Sequence, residues 1–331
     1  VGGFLIRRLA NYVLLCLVAT FLAYALASLT FDPLARLAER NPPPPAAVVE
    51  SMRQELRLDE PVPQRFASWF GGVVRGDFGR TVTGQTISDE LGRRIGVSLR
   101  LFLLGTVVGV AAGVLVGMVG AVRQHRPADY LGTLFAFVLL SMPTFLVGTL
   151  LKFGGLQLNL AAGTTLVYFT GEYDPGLRGG WGSALVDRLQ HLVLPTLTIA
   201  LHQIAYYSRY QRSAMLDVLG SEFLRTARAK GLTRRQALLR HGLRTALVPM
   251  ATLFAFGFGL LVTGSVFTER IFGWYGMGDW LVYGIEQQDT NIVATVTLFV
   301  AVMVLVSGWL ADVLYAVLDP RVRIGSLGGH R

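Results

Sequence analysis

Much of what soluble chemistry uses is scarce in this sequence. Cys16 is its one cysteine, so no disulfide forms within the chain and no cysteine cluster holds a metal. Charged residues make up only 15% of 331 positions against 52% hydrophobic, a balance too apolar for an ordinary soluble domain. Of 30 basic residues only Lys152 and Lys230 are lysines; the remaining 28 arginines hint at a GC-rich genome, and Val1 reads as a literally translated GTG start codon. The histidines at 125, 191, 202, 241 and 330 form no H-E-x-x-H or other close ligand pair. No G-x-x-x-x-G-K-[ST] occurs, and neither lysine follows a glycine, so the chain builds no P-loop. A G-x-S-x-G elbow is absent too, and Asp77-Phe78-Gly79, a kinase triplet, has no glycine-rich loop or H-R-D beside it. Catalysis, if any, belongs to a partner.

What the sequence has instead is long uncharged runs. Residues 9–29 carry no charge over 21 positions and follow Arg7 and Arg8; the run is too long for a signal-peptide core and reads as a retained first span. Five more runs follow at 101–122, 130–151, 189–208, 245–268 and 290–311, each near the 20 residues a helix needs to cross the hydrocarbon core. The fourth, with Gln190, His191, His202 and Gln203, is the least apolar. Residues 153–171 are also uncharged, but their glycines, Gln157 and Asn159 make a poor span. Charge supports excluding it. Six spans gather Arg7, Arg8, Arg123, Arg126, the cluster from Arg209 to Arg244, Arg321, Arg323 and Arg331 on one side, and leave Lys152, Arg178, Arg188 and Arg270 in short outer loops. A seventh would put the basic cluster outside, against the positive-inside rule. The expected protein is therefore an all-α membrane protein of six transmembrane helices with both termini cytosolic. Its net charge of +9 is an orientation signal rather than a groove for nucleic acid.

The expected organisation is a cytosolic N-terminus and first helix at 1–30, an extracytoplasmic insert at 31–97, a five-helix core at 98–320 with a cytoplasmic loop at 209–248, and a cytosolic tail at 321–331. The insert carries nine basic and nine acidic residues and crosses regardless of charge. Its prolines 42–45 make a stiff spacer before two short helices, expected at 46–58 and 63–74. In the second span Gly105, Gly109, Gly113 and Gly117 fall on one face, which suits backbone-to-backbone packing; a line along a substrate path uses the same residues. Pro143 and Pro195 are candidate kinks, and Lys152 is placed to snorkel to the outer interface. Asp279, Glu286 and Asp289 make one outer loop acidic, either to receive a partner or a peptide amine or as a solvated loop.

The most charged stretch, 221–249, describes two short helices. Ser221 is an expected cap, Glu222 sits in the positive first turn, and Lys230 lies in the last turn. Gly231 supplies a left-handed stop, and Thr233 with Gln236 spells a T-x-x-Q capping box. A basic loop held inside by charge alone accounts for the same residues.

Several ordered motifs resemble one family. RTARAKGL with LLRHGLRTALVP resembles the cytoplasmic "EAA" loop of ABC-importer permease subunits, in its oligopeptide and dipeptide form, with Arg225 and Thr226 replacing Glu and Ala. LRLDEPVPQRFASWF, RGDFGRTVTGQTISDEL, the third-span residues Asp129, Tyr130, Ser141, Pro143 and Phe145, ERIFGWYGMG and ADVLYAVLDPRVR resemble further segments of that family, from Leu9 to Arg323. The resemblance implies a type I ABC-importer permease fold in a bacterial plasma membrane, importing peptides. It implies a coupling helix formed by Glu222, Arg225, Thr226, Ala227, Lys230, Gly231 and Leu232, with Ala227 on the docking face. The implied partners are a second homologous permease chain, two ABC ATPase subunits that hold ATP and Mg, an extracytoplasmic peptide-binding protein and membrane lipid; the chain itself holds no cofactor. Nickel and glutathione importers share this permease type, so another solute stays open. A channel or receptor is the alternative of a different class, but the spans contain no acidic ring or repeated filter motif.

Overall fold

The computed structural model describes residues 2–34, 45–177 and 179–318, with the backbone alone at 2–8, 251–252, 255–265 and 311–318. The proline spacer at 42–44, Arg178 and the closing motif from Asp319 onward lie outside the described residues. In chain order the helices are α1 (Gly2–Thr30), α2 (Ala46–Glu55), α3 (Val62–Val73), α4 (Ile87–Val122), α5 (Pro127–Ser141), α6 (Thr144–Ala162), α7 (Trp181–Leu219), α8 (Glu222–Ala229), α9 (Arg234–Ala237), α10 (Leu243–Phe272), α11 (Met277–Glu286) and α12 (Thr290–Leu318). One π-helical turn, Leu238–Gly242, joins α9 to α10. Among the described residues the only strand-like pairing is a single antiparallel bridge between Arg80 and Thr86. Among the described residues five helices are long and apolar enough to cross a membrane: Leu9–Thr30, Ile87–Val122, Thr144–Ala162, Trp181–Leu219 and Thr290–Leu310. This is an all-α, multi-pass membrane fold.

The chain divides into two compact units. The first comprises Val1–Ser98 and Tyr275–Leu305. Here α3 begins after Pro61 with Pro63 in its first turn, where a missing N–H costs nothing. It lays Trp69 against Tyr24 and Ala294, with the Phe66 ring edge-on to Phe21 at 5.1 Å and to Tyr24 at 5.5 Å. A second cluster joins Ile87, Met277, Trp280, Ile292 and Val296. Asp289 does not face out as part of an acidic outer loop; it is 1% exposed and works as a strap. Its Oδ1 accepts from the Ile292 N–H at 3.0 Å, capping α12, and its Oδ2 accepts from the Val82 N–H at 2.7 Å.

The second unit comprises Leu99–Trp274 and Val306–Arg331, and its axis is α7. That helix has 39 residues, about 58 Å at 1.5 Å per residue. It runs well past the expected 189–208 on both sides, because the polar residues at its ends find partners within the fold. His191 is 3% exposed; its Nδ1 lies 2.8 Å from the Asp187 carbonyl and its ring stacks on Tyr168 at 4.2 Å. Against α7 packs the glycine face of α4. A Cβ at Gly109 would stand 2.6 Å from the Gln203 Cβ and 2.9 Å from the Ala200 Cα, and one at Gly113 3.1 Å from the Ile204 Cα. Gly105 meets Ile199, and Gly117 meets Ser208 and Gln211.

The third expected run does not stay one helix. Its helix α5 stops at Ser141, Met142 is extended at φ −93° and ψ 134°, and α6 starts at Thr144. The ring of Pro143 disfavours the α conformation for the residue before it, which breaks the rod instead of bending it. Helix α6 then continues to Ala162, into the stretch that looked too polar, and ends at Gly163 with φ +66°. Asn159 explains this: its Oδ1 accepts from the Leu166 and Val167 N–H groups and its Nδ2 donates to the Val167 carbonyl, folding the loop back on the helix. Both halves run in one sense along α7. Asp129 meets Arg212, then Ala136, Leu139 and Val147 cluster with Ala205, Gly148 faces Thr198, and Gly155 faces Leu194. The Lys152 Nζ donates to the Ile271 carbonyl at 2.8 Å, at the negative C-terminal end of α10.

Candidate functional site

The basic stretch after α7 is built as a stiff elbow. Ser221 does not cap α8 with its side chain, because its Oγ donates back to the Val218 carbonyl at 2.6 Å and so finishes α7 instead. Helix α8 ends in a closed C-terminal motif. Gly231 sits at φ +92°, its N–H donates to the Arg228 carbonyl at 3.0 Å, and the Leu232 N–H donates to the Ala227 carbonyl at 3.3 Å. That is the paired bonding of a Schellman stop, with glycine in the left-handed position. Two residues later the Thr233 Oγ1 accepts from the Gln236 N–H at 3.3 Å and the Gln236 Oε1 accepts from the Thr233 N–H at 3.0 Å, a complete capping box. The π turn follows directly, a rare geometry that concentrates at functional sites.

One side chain anchors this elbow to the bundle. Leu224 is 6% exposed and packs with Ala121, Met215, Val218, Ala237 and Ala246. Gly242 leaves room for it; a Cβ there would stand 3.1 Å from Val218 Cγ1 and 3.5 Å from Leu224 Cδ1. Of the residues expected to meet a partner, Glu222, Arg225, Thr226, Lys230 and Gly231 are exposed. Ala227 and Leu232 are not on that face: both are half-buried against the Leu224 cluster, since Ala227 lies three residues after Leu224 on the same side of α8. The outward face adds residues that motif reading passed over. Phe223 and Leu239 are exposed apolar side chains among Arg225, Arg228, Arg234, Arg235 and Arg240. Phe223 is exposed while the adjacent Leu224 is buried, a difference that periodicity in so short a segment does not resolve. The Arg225–Glu222 pair at 2.7 Å is exposed on both sides and fixes little beyond local side-chain geometry.

A second brace lies two turns upstream. Arg212 Nε and Nη2 donate to the two carboxylate oxygens of Asp129 at 2.6 and 2.8 Å, and the His125 N–H donates to Asp129 Oδ2 at 3.1 Å. The fork holds the Asp129 carboxyl below the usual aspartate range, chiefly through the Arg212 hydrogen bonds and against the opposing effect of burial. It ties the turn between α4 and α5 to the end of α7 that leads into the elbow. Nothing in the sequence couples positions 83 residues apart; the signal is only that Asp129 is the sole acid among Arg123, His125 and Arg126. Among the described residues no group of three or more His, Cys, Asp or Glu is placed to hold a metal ion.

These features define a polytopic helical membrane protein with a rigid, basic, two-helix elbow between two of its long helices. The chain belongs to the family described as binding-protein-dependent transport system inner membrane component, which it matches over residues 109–324. It is a multi-pass inner-membrane transport component and not an enzyme. It is 58% identical over 321 residues to the oligopeptide transport system permease protein OppB of Mycobacterium tuberculosis, covering 97% of this chain and 99% of that one. The oligopeptide transport system permease protein AppB of Bacillus subtilis is 32% identical over 331 residues, covering 97% and 99%. The glutathione transport system permease protein GsiC of Escherichia coli is 31% identical over 323 residues, with the same coverage.

Proposed function

We propose that the chain is a permease subunit of an ATP-driven importer of oligopeptides. The observation that carries this reading is the 58% identity, over nearly the full length of both chains, to a protein named for oligopeptide transport. The glutathione reading rests on a relative at 31% and is the weaker of the two. In the reading we favour, α5 and α6 make one broken crossing, supported by the single sense in which they run along α7. With α1, α4, α7, α10 and α12 that gives six crossings and puts both termini in the cytosol, the insert at 31–97 outside and the elbow inside, in line with the positive-inside rule. The chain pairs with a second permease, two ATPase subunits and an extracytoplasmic binding protein. The outward face of α8, with Phe223 and Arg225 at its centre, docks on an ATPase, while Leu224 transmits the motion to the ends of α7 and α10. Because both helix ends in the elbow are closed by hydrogen bonds, α8 moves as a rigid body and not as a loop.

The test is expression of the tagged chain with its neighbouring genes in a strain lacking its own peptide permeases. Co-purification of an ATPase and ATP-dependent uptake of a labelled tetrapeptide are expected. Uptake of glutathione but not of the tetrapeptide would transfer the reading to the other solute, and absence of any ATPase would remove it.

A further inference from the structure

We propose that the insert between α1 and α4 carries a binding site for the carboxylate of a short peptide, in a cavity on α3 centred on Arg65. The cavity measures about 560 Å³, within the range that holds small organic ligands. Tyr24, Arg57, Arg65, Trp69, Arg80 and Asn291 form its wall, all within the first compact unit.

Three arginines face this space, and two of them have acidic partners. Arg57 lies 3.7 Å from Glu60 and donates to the Ser68 hydroxyl at 2.7 Å, and Arg80 lies 3.7 Å from Glu55. Arg65 differs. It is only 9% exposed, and its Nε is buried with no hydrogen-bond partner. Among the described residues no carboxylate lies within ion-pair distance of it; its guanidinium is hydrogen-bonded to the Tyr24 hydroxyl, which also feels the charge of Glu60. A guanidinium withdrawn from water without a contacting counter-charge is unfavourable. At the edge of a cavity, such a guanidinium fits a planar carboxylate, which would supply the contacting charge.

The remaining wall narrows the class. Glu55 and Asp77 also border the cavity and disfavour a dianion such as phosphate, while accepting a ligand whose carboxylate is accompanied by an ammonium group. Trp69, 8% exposed and held by its indole N–H on the Phe78 carbonyl at 3.1 Å, offers a fixed apolar surface beside Arg65. Carboxylate, ammonium and a little apolar surface together describe a short zwitterionic peptide. The peptide identity rests on the proposed function, whereas the anion site rests on the cavity alone.

The experiment uses the full chain in lipid nanodiscs, with radiolabelled trialanine as the probe and its C-terminal amide as the competitor. Trialanine is expected to bind, and the amide to bind at least about tenfold more weakly, the loss of one charge-assisted contact. Arg65→Gln is expected to weaken trialanine by a similar factor. The exposed Arg57→Gln, which disturbs no buried group, is expected to weaken it by only about two- to threefold. Equal binding of acid and amide to the unchanged chain overturns the site even if Arg65→Gln does not fold, and so does the absence of trialanine binding. Uptake and ATPase co-purification with equal binding of acid and amide leave the importer reading standing and remove this one. Arg65-dependent preference for the acid without ATPase association does the reverse.

Discussion

Removing the Asp129 carboxylate tests whether the α4–α5 turn and the end of α7 are held together by charge. The side chain is 5% exposed and receives three hydrogen bonds, two from Arg212 and one from the His125 backbone. Breaking a buried pair by deleting one partner costs about 3–5 kcal/mol, because the survivor is left uncompensated. Here the survivor is less buried. The Arg212 side chain is 30% exposed and borders a cavity of about 260 Å³. Hydration of the freed guanidinium lowers the expected loss for Asp129→Ala to about 2–3 kcal/mol, with about 1–2 kcal/mol for Asp129→Asn, which keeps an acceptor. The assay is reversible unfolding of the purified chain by SDS in mixed micelles, followed by helical ellipticity, in a double-mutant cycle with Arg212→Ala. A coupling energy of about 2 kcal/mol is expected. The pH dependence has a definite sign. A carboxyl held below its unfolded value contributes its full stabilisation above about pH 3.9 and loses it only as the pH falls through the lower folded value. The carboxyl's own contribution is therefore flat between about pH 5 and 8. A coupling below about 0.5 kcal/mol, the level of an exposed pair, would refute the reasoning.

Gly109→Val places a branched side chain where a single Cβ already meets the Ala200 backbone at 2.9 Å, so the seam with α7 has to open. A loss of about 3 kcal/mol or more in the same SDS assay is expected, whereas Gly92→Ala on the same helix meets nothing within 4 Å and is expected to be neutral or slightly stabilising. Gly231→Val meets no neighbouring atom, so its cost is backbone strain alone, about 1–2 kcal/mol, borne by the elbow. Membrane levels by immunoblot stay normal while ATPase retention and peptide uptake per inserted chain fall; wild-type values for both would mean that the elbow is only an orientation signal. Asp289→Ala removes the cap of α12 and orphans the buried Val82 N–H, for an expected loss of about 2–4 kcal/mol in SDS unfolding. Burial pushes the Asp289 carboxyl above the ordinary aspartate value, so in the wild type this site favours folding less as the pH rises from about 4 through that raised value, a slope that Asp289→Asn abolishes.

How much of this was readable beforehand depends on the range over which each residue acts. Gly231 and the Thr233–Gln236 box act within four residues, and the motif reading located both. Apolar runs located the long helices, but their ends were misjudged wherever a polar side chain has a tertiary or loop partner. Asn159 prolongs α6 by satisfying a loop, and at the start of α7 His191 bonds the Asp187 carbonyl and stacks on Tyr168. Ser221 is a case of two local acceptors in competition; the Val218 carbonyl wins the hydroxyl that the capping rule assigned to α8. Ala227 turned inward because Leu224, one turn earlier, is the anchor, and only the packed cluster distinguishes Leu224 from Phe223. The Asp129–Arg212 fork and the exposed position of Leu239 follow from the way distant helices meet, which no local pattern encodes.

The glycine face of α4 also restricts where a solute can travel. From Gly105 to Gly117, about 18 Å of helix, α4 lies close against α7, meeting the Ile199 side chain at Gly105 and the α7 backbone at Gly109, Gly113 and Gly117, with no gap into which even a methyl group fits. Neither water nor an acyl chain enters that seam, so it is a watertight weld through much of a bilayer's thickness. A hydrated route lined by this chain must therefore use another side of α4 or α7, and whatever opens and closes that route moves α4 and α7 together as one wall.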